Sequence, residues 1–272
     1  MKRLVLTIVL AATAAMGYAA RHISVDSPVD TIKTKKKTVT VTVGATENGI
    51  GIESKRDSLK NRSKAPGASF ALTFERFDIG FSKLVDNGSF TLSPANQFLD
   101  YKSSKTSNVG FDILQFGYRF TSYFKIYVAG GFDWTHIRLE KDITILRDQP
   151  VLNYSVDAVE YEKNRFSSTY LRIPLGFDYR SKSDRRGKRF HLVAGPEVGF
   201  LLGGKVKQVS DENGKQKFKD DYHFSEFRYG AYARVGYGGA GLFYKQYFND
   251  MFENSPAQKG LKNMAFGVMF GF

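Results

Sequence analysis

Cysteine does not occur in the 272 residues, which excludes a disulfide framework, a lipid-modified amino-terminal cysteine and any thiolate metal site. Histidine is nearly as scarce. The four present, His22, His136, His191 and His223, are too dispersed in sequence to suggest a His-rich metal centre, and no cofactor is called for. After the amino-terminal stretch there is no run of 18 apolar residues, and the mean hydropathy is negative, so the chain is not a helical membrane protein. Gly203-Gly204 and the glycines between Gly236 and Gly241 are not phosphate loops, because no helical pattern follows them. They read as turn and wall residues.

Aromatic residues and glycine are plentiful: 24 Phe, 15 Tyr and 26 Gly. That mixture suits alternating strands, with large residues on one face and small ones where a sheet must curve. The formal net charge is +13. Its basic residues are scattered through strands and a tail, with no basic helix stripe or RNA-binding motif, so nucleic acid is not the expected partner. The charge reads instead as a solvated tail plus interior lining, with attraction to anionic lipopolysaccharide as a functional variant.

Lys2 and Arg3 precede an apolar run from Leu4 to Met16, and Gly17-Tyr18-Ala19 offers small residues for a signal peptidase. About 13 apolar residues fall short of the roughly 20 needed to span a bilayer. Residues 1–19 are therefore expected to be an export signal. Residues 20–67 combine the basic cluster Lys33 to Lys37, a Thr/Val alternation and a polar, Gly-containing stretch, and read as an extended arm carrying at most a hairpin. A linker and a periplasmic docking arm are both open readings for it. At the other end, Met264, Phe266, Val268, Phe270 and Phe272 alternate with smaller or more flexible residues. One greasy strand face at the terminus suits a barrel that touches lipid, and Phe270 and Phe272 are the expected insertion signal.

Residues 68–272 read as eight strands near 69–84, 108–120, 124–138, 165–180, 189–203, 224–236, 239–248 and 263–272. Long polar connections (85–107, 139–164, 204–223, 249–262) alternate with short ones (121–123, 181–188, 237–238). This is the loop and turn asymmetry of an outer-membrane up-and-down barrel, with both termini in the periplasm. In the fourth strand Leu171, Ile173, Leu175, Phe177 and Tyr179 share one face while Arg172, Pro174, Gly176, Asp178 and Arg180 share the other. The third, fifth and sixth strands repeat this apolar-out, polar-in pattern, which a soluble barrel would invert. In the first strand the apolar parity switches between Phe74 and Phe77, predicting a bulge near Glu75 and Arg76. Pro174 and Pro196 each remove a ladder donor, so a bulge is expected there too.

Tyr170-Leu-Arg-Ile-Pro-Leu-Gly-Phe-Asp-Tyr179, Ala194-Gly-Pro-Glu-Val-Gly-Phe-Leu-Leu202 and Lys262-Asn-Met-Ala-Phe-Gly-Val-Met-Phe-Gly-Phe272 resemble the outer-membrane β-barrel domain of Bacteroidetes, including the PorT-like proteins. The resemblance covers residues 68–272. It implies a Gram-negative outer membrane, assembly by the barrel-insertion machinery and contact with lipid and lipopolysaccharide. In one branch it also implies a periplasmic or secretion-system partner, though no motif here selects that branch.

The inward charges predict a polar interior network of Arg119, Lys125, Asp133, Arg172, Asp178, Arg180, His191, Glu197, Glu226, Arg228, Arg234 and Lys245. An eight-stranded barrel is only wide enough for side chains to fill it, and mixed signs favour pairing over an open channel. Within the hairpin of the fourth and fifth strands, charge complementarity selects the register that sets Arg172 against Glu197 and Pro174 against Gly195. Catalysis is not expected. An enzyme acting on lipid A needs a His and a Ser on the exterior, and His136 has no evident Ser one strand away. A peptidase needs a rim cluster, and Asp142, Asp148, Asp157 and Glu160 read as solvated loop charge. The expectation is thus a non-enzymatic barrel with a plugged interior that displays surface loops. An outer-membrane enzyme and a narrow channel are the alternatives.

Overall fold

The computed structural model describes residues 45–46, 49–50 and 65–271. The expected export signal, the Thr/Val alternation, most of the arm and Phe272 lie outside the described residues. Ala45–Thr46 pairs with Gly49–Ile50.

Eight long antiparallel strands follow: β1 (Gly67–Asp86), β2 (Ser107–Arg119), β3 (Phe124–Arg138), β4 (Lys163–Arg180), β5 (Phe190–Ser210), β6 (Phe227–Tyr237), β7 (Ala240–Tyr247) and β8 (Leu261–Phe270). Each pairs with its neighbours in sequence, and β8 pairs back onto β1, closing a ring. From Phe77, following partners one way round arrives at Phe227, and the other way at Tyr237, ten residues along the same strand. Such a stagger tilts the strands and fixes the barrel's width.

Period-two burial runs along the strands, as in β3, where alternate residues from Lys125 to Ile137 turn inward. Outward, Phe77, Ile79, Phe116, Phe177, Leu192, Tyr229, Leu242 and Phe266 form part of an exposed apolar belt. So large a contiguous apolar surface needs a lipid solvent.

Boundaries match the sequence pattern within about three residues except at β5, which continues to Ser210. Its extension pairs with β4 on one side and with Gly214–Asp220 on the other. The third long connection is therefore largely a β-hairpin. Its Val206 and Val209 supply strand propensity that the abundant lysines disguise. The second connection carries a smaller hairpin, Ile143–Ile145 with Tyr154–Val156.

The β1 register shifts between Leu72 and Arg76, at the bulge the apolar parity indicates. A second shift in β2 lies between Asp112 and Leu114. The bulge expected at the prolines is absent, because Pro174 faces Glu197 and Phe177 faces Ala194 in one continuous register. Gly195 allows this by close backbone approach, since a Cβ there would collide with the Leu175 carbonyl. The β4–β5 shift falls instead between Thr169 and Tyr170, where β5 skips Leu202 and Gly203 has φ +145°.

Candidate functional site: a charged interior beneath an apolar cap

Ion-paired side chains from six strands meet at the barrel centre. Arg172 of β4 donates from Nη1 to Asp78 Oδ2 of β1 at 2.6 Å and from Nε to Asp112 Oδ1 of β2 at 2.8 Å. Arg234 of β6 donates to the same Asp78 oxygen at 3.1 Å. Lys245 of β7 donates to Asp133 Oδ2 of β3 at 2.7 Å and lies 3.4 Å from Asp78. Arg228 of β6 donates to Asp133 Oδ1 at 2.8 Å, and Arg76 of β1 lies 3.4 Å from Asp112. All eight side chains are buried. Charges removed from water persist only when paired and hydrogen-bonded, and each of these cations shares a carboxylate with another cation.

Aromatic rings complete the packing. The Arg228 guanidinium lies between Tyr170 and Tyr247, 3.8 and 4.1 Å from the ring centroids, where the ring faces attract its charge. Tyr247 donates to Glu197 at 2.9 Å. Nearer the short-turn end, the Tyr127 and Tyr232 hydroxyls bond at 3.1 Å, with Arg76 4.3 Å from the Tyr127 ring centroid.

Of the residues the sequence assigns to the interior, the structure buries Lys125, Asp133, Arg172, Asp178, His191, Glu197, Arg228, Arg234 and Lys245. Arg119 and Arg180 are half-buried at the short-turn end. There Asp178 accepts from Arg180 Nε at 2.9 Å and lies 3.3 Å from His191 Nδ1. Glu226 is misplaced by the sequence reading: β6 begins only at Phe227, so Glu226 sits in the loop, exposed. Phe270 is exposed on the outer face between Ala240 and Phe77.

The Arg172–Glu197 pairing is corrected as well. Arg172 faces Gly199 and Glu197 faces Pro174, two residues from the register that charge complementarity selects. Arg172 instead crosses the lumen to carboxylates on β1 and β2. Those carboxylates, Asp78 and Asp112, are the main residues that sequence reasoning misses. Each lies beside a bulge that exchanges the two faces. The signal for Asp78 was available, since its neighbours Phe77 and Ile79 have the outward parity.

Above the charges the long loops are not mere solvated connections. Strand ends contribute Leu84, Ile137, Phe166, Val206 and Leu261 to one buried apolar cluster, which Phe98, Leu99, Ile143, Ile145, Tyr222, Phe224 and Phe252 join from the four loops. Phe166 stacks on Phe224 at 4.6 Å and on Phe252 at 6.1 Å, and meets Tyr222 edge-on at 5.4 Å. Burial pushes the Tyr222 hydroxyl up to about 12, which keeps it neutral in this setting. Polar ties join the loops. Leu152 N–H donates to Ser255 Oγ at 3.0 Å, and His223 Nε2 donates to the Gln149 carbonyl at 2.7 Å. Between charges and cap, a cavity of about 20 Å³ is lined by Thr135, Ser168, Tyr170, Arg228, Tyr247 and Met251 among others. That is room for about one water.

His136 does have a serine partner. It faces Ser167 across β3 and β4, with Nδ1 and Oγ 3.0 Å apart. Sequence alone hid this because the partner depends on the inter-strand register. The other neighbour of His136, on β2, is Ser107, not a carboxylate, so the pair lacks the third group that orients a catalytic imidazole. Among the described residues no group of three or more His, Asp or Glu could hold a metal ion.

No curated protein matches the chain. Among solved structures, Ail, the attachment invasion locus protein of Yersinia pestis, is similar with a TM-score of 0.27 and 13% identity over 75% of this chain and 97% of Ail. Ail in complex with the heparin analogue sucrose octasulfate gives 0.29 and 14% over the same shares. The family described as outer membrane protein beta-barrel domain matches residues 60–255. With that match over most of an eight-stranded closed barrel, the chain belongs to the outer membrane protein beta-barrel domain family.

Proposed function

We propose that this outer-membrane barrel is a non-enzymatic, closed scaffold that works through its surfaces and not through a pore. The observation that carries this reading is the pairing of buried charges from six strands beneath a continuous apolar cap. Passage of an ion would require breaking both layers. The loop end faces outward, the short turns face the periplasm, and the termini lie on the periplasmic side. The long/short alternation of connections supports this orientation. Membership of the Bacteroidetes PorT-like group is the narrower proposal, supported by the Ile-Pro-Leu and Gly-Pro strand patterns. A periplasmic partner for residues 20–67 accompanies it.

Liposome swelling tests the closed reading. Vesicles carrying the purified barrel should swell no faster in small sugars than empty vesicles, and porin-like rates would contradict the proposal. One observation favours a hydrolytic reading, the His136–Ser167 contact. If it cleaves lipid esters, Ser167→Ala should abolish the release of acyl chains from purified lipid A. The scaffold reading expects no release from either protein.

A further inference from the structure

The wall does not end at the apolar belt. Beyond it β3, β4, β5 and the Gly214–Asp220 strand continue side by side, and their register aligns cations in rows. Arg138 faces Arg165, Arg165 faces Lys207, and Lys207 faces Lys217. One step lower His136 faces Ser167, Ser167 faces Lys205, and Lys205 faces Lys219; one step higher Lys163 and Lys215 flank Val209.

These side chains point away from the lumen, because the alternate positions Ile137, Asn164, Phe166, Val206 and Gln208 are the buried ones. No carboxylate occupies an outward position on these segments. Among the described residues, none of these Lys and Arg side chains takes part in an ion pair. Lys163, then desolvation, then Lys215, Arg165 and Lys217 hold the Lys207 ammonium below the ordinary lysine range, so like-charge repulsion is the largest part of that shift. Like charges set directly opposite one another destabilise a sheet. The fold itself does not neutralise them, so the counter-charge comes from outside.

The position of the rows indicates the source. Trp134, which packs against Phe111 at 5.2 Å and Phe132 at 6.0 Å, is two residues below His136 on the same outward face. At about 3.4 Å per residue the Arg138 row lies roughly 13 Å further along the strand than Trp134. Tryptophan marks the membrane–water boundary, so the rows face sideways at headgroup height. A soluble polyanion would be met more naturally by the loop tips.

We propose that this four-stranded wall binds the phosphorylated headgroup of an anionic glycolipid in the leaflet around the barrel. The proposal rests on the reading of the chain as a membrane-embedded barrel with its loop end outward. The phosphates lie across the Arg138–Arg165–Lys207–Lys217 row, which spans roughly 14 Å at the usual strand spacing. Multiple basic residues near an anionic surface act together, and salt screens their effect.

The test uses full-length protein in nanodiscs of zwitterionic phospholipid doped with bisphosphorylated lipid A, with co-purifying lipid A as the readout. One variant neutralises the row (R138Q, R165Q, K207Q, K217Q). A control neutralises four charges of the β4–β5 turn (K182Q, R185Q, R186Q, K188Q). Wild type and control should retain lipid A, and the row variant should retain at least about tenfold less, with no loss of thermal stability because like charges are being removed. Dephosphorylated lipid A should not be retained by any of them. Equal retention by the row variant overturns the proposal while leaving the embedded barrel intact. So does binding of a soluble sulfated polysaccharide without retention of lipid A. Failure of wild-type protein to enter nanodiscs as a heat-modifiable barrel overturns both readings.

Discussion

Arg172 and Asp78 stand 94 residues apart in the chain, yet Nη1 and Oδ2 meet at 2.6 Å across the lumen. Their strands, β4 and β1, are not neighbours in the ring. The contact therefore forms only when the sheet curls far enough to bring β4 opposite β1.

Removing one partner strands the other in a buried setting. Arg172→Ala should lose about 3–5 kcal/mol of stability, and Asp78→Ala a similar amount. The double variant should lose clearly less than the total of both, by more than about 1 kcal/mol. Arg172→Ala with Glu197→Ala should show weaker coupling. Urea unfolding in detergent micelles gives these values. Simple additivity for Arg172 and Asp78 would show that the contact carries no energy.

Phe166 anchors the cap without touching the charges. Phe166→Ala should cost about 3–5 kcal/mol as a large aromatic lost from a packed core. The damage should be local. Limited proteolysis should cut the four loops in the variant but not in the wild type, while the barrel keeps its heat-modifiable migration. Loops equally resistant in both proteins would mean that the cap does not depend on this ring.

Orientation can be read on whole cells. An epitope inserted at Asn213-Gly214, the tip of the β5 hairpin, should be accessible from outside. An epitope at Asp184 in the β4–β5 turn should become accessible only after the envelope is opened. Reversed labelling would place the long loops in the periplasm.

The final strand carries the assembly prediction. Phe270 is 51% exposed on the outer face of β8, and Phe272 follows it two residues on in the sequence. Phe270→Asp, or deletion of Phe272, should leave exported chain unassembled and sensitive to protease. Wild-type amounts of heat-modifiable protein from either variant would contradict this role.

Strand number, facing and connection rhythm were legible because period-two alternation survives in any single strand, as in Leu171 to Arg180. The β1 bulge was legible for the same reason, since Phe74 and Phe77 break parity. Register was not. Charge complementarity between facing positions selects Arg172 with Glu197, whereas long side chains in a narrow barrel reach non-neighbouring strands. Asp112 was hidden by the β2 shift that follows it. The cap was hidden because Phe98, Ile143, Phe224 and Phe252 come singly or in short runs within polar loops, and only the fold gathers them into one cluster. The His136–Ser167 contact likewise needed the β3–β4 register.

A barrel sealed by the charge lattice and the apolar cap should not conduct. Conductance of the purified full-length protein in planar bilayers tests it most directly, with heat-modifiable migration confirming that folded barrels were added. Insertions without steady conductance are expected. A stable, large conductance in most insertions would contradict the seal.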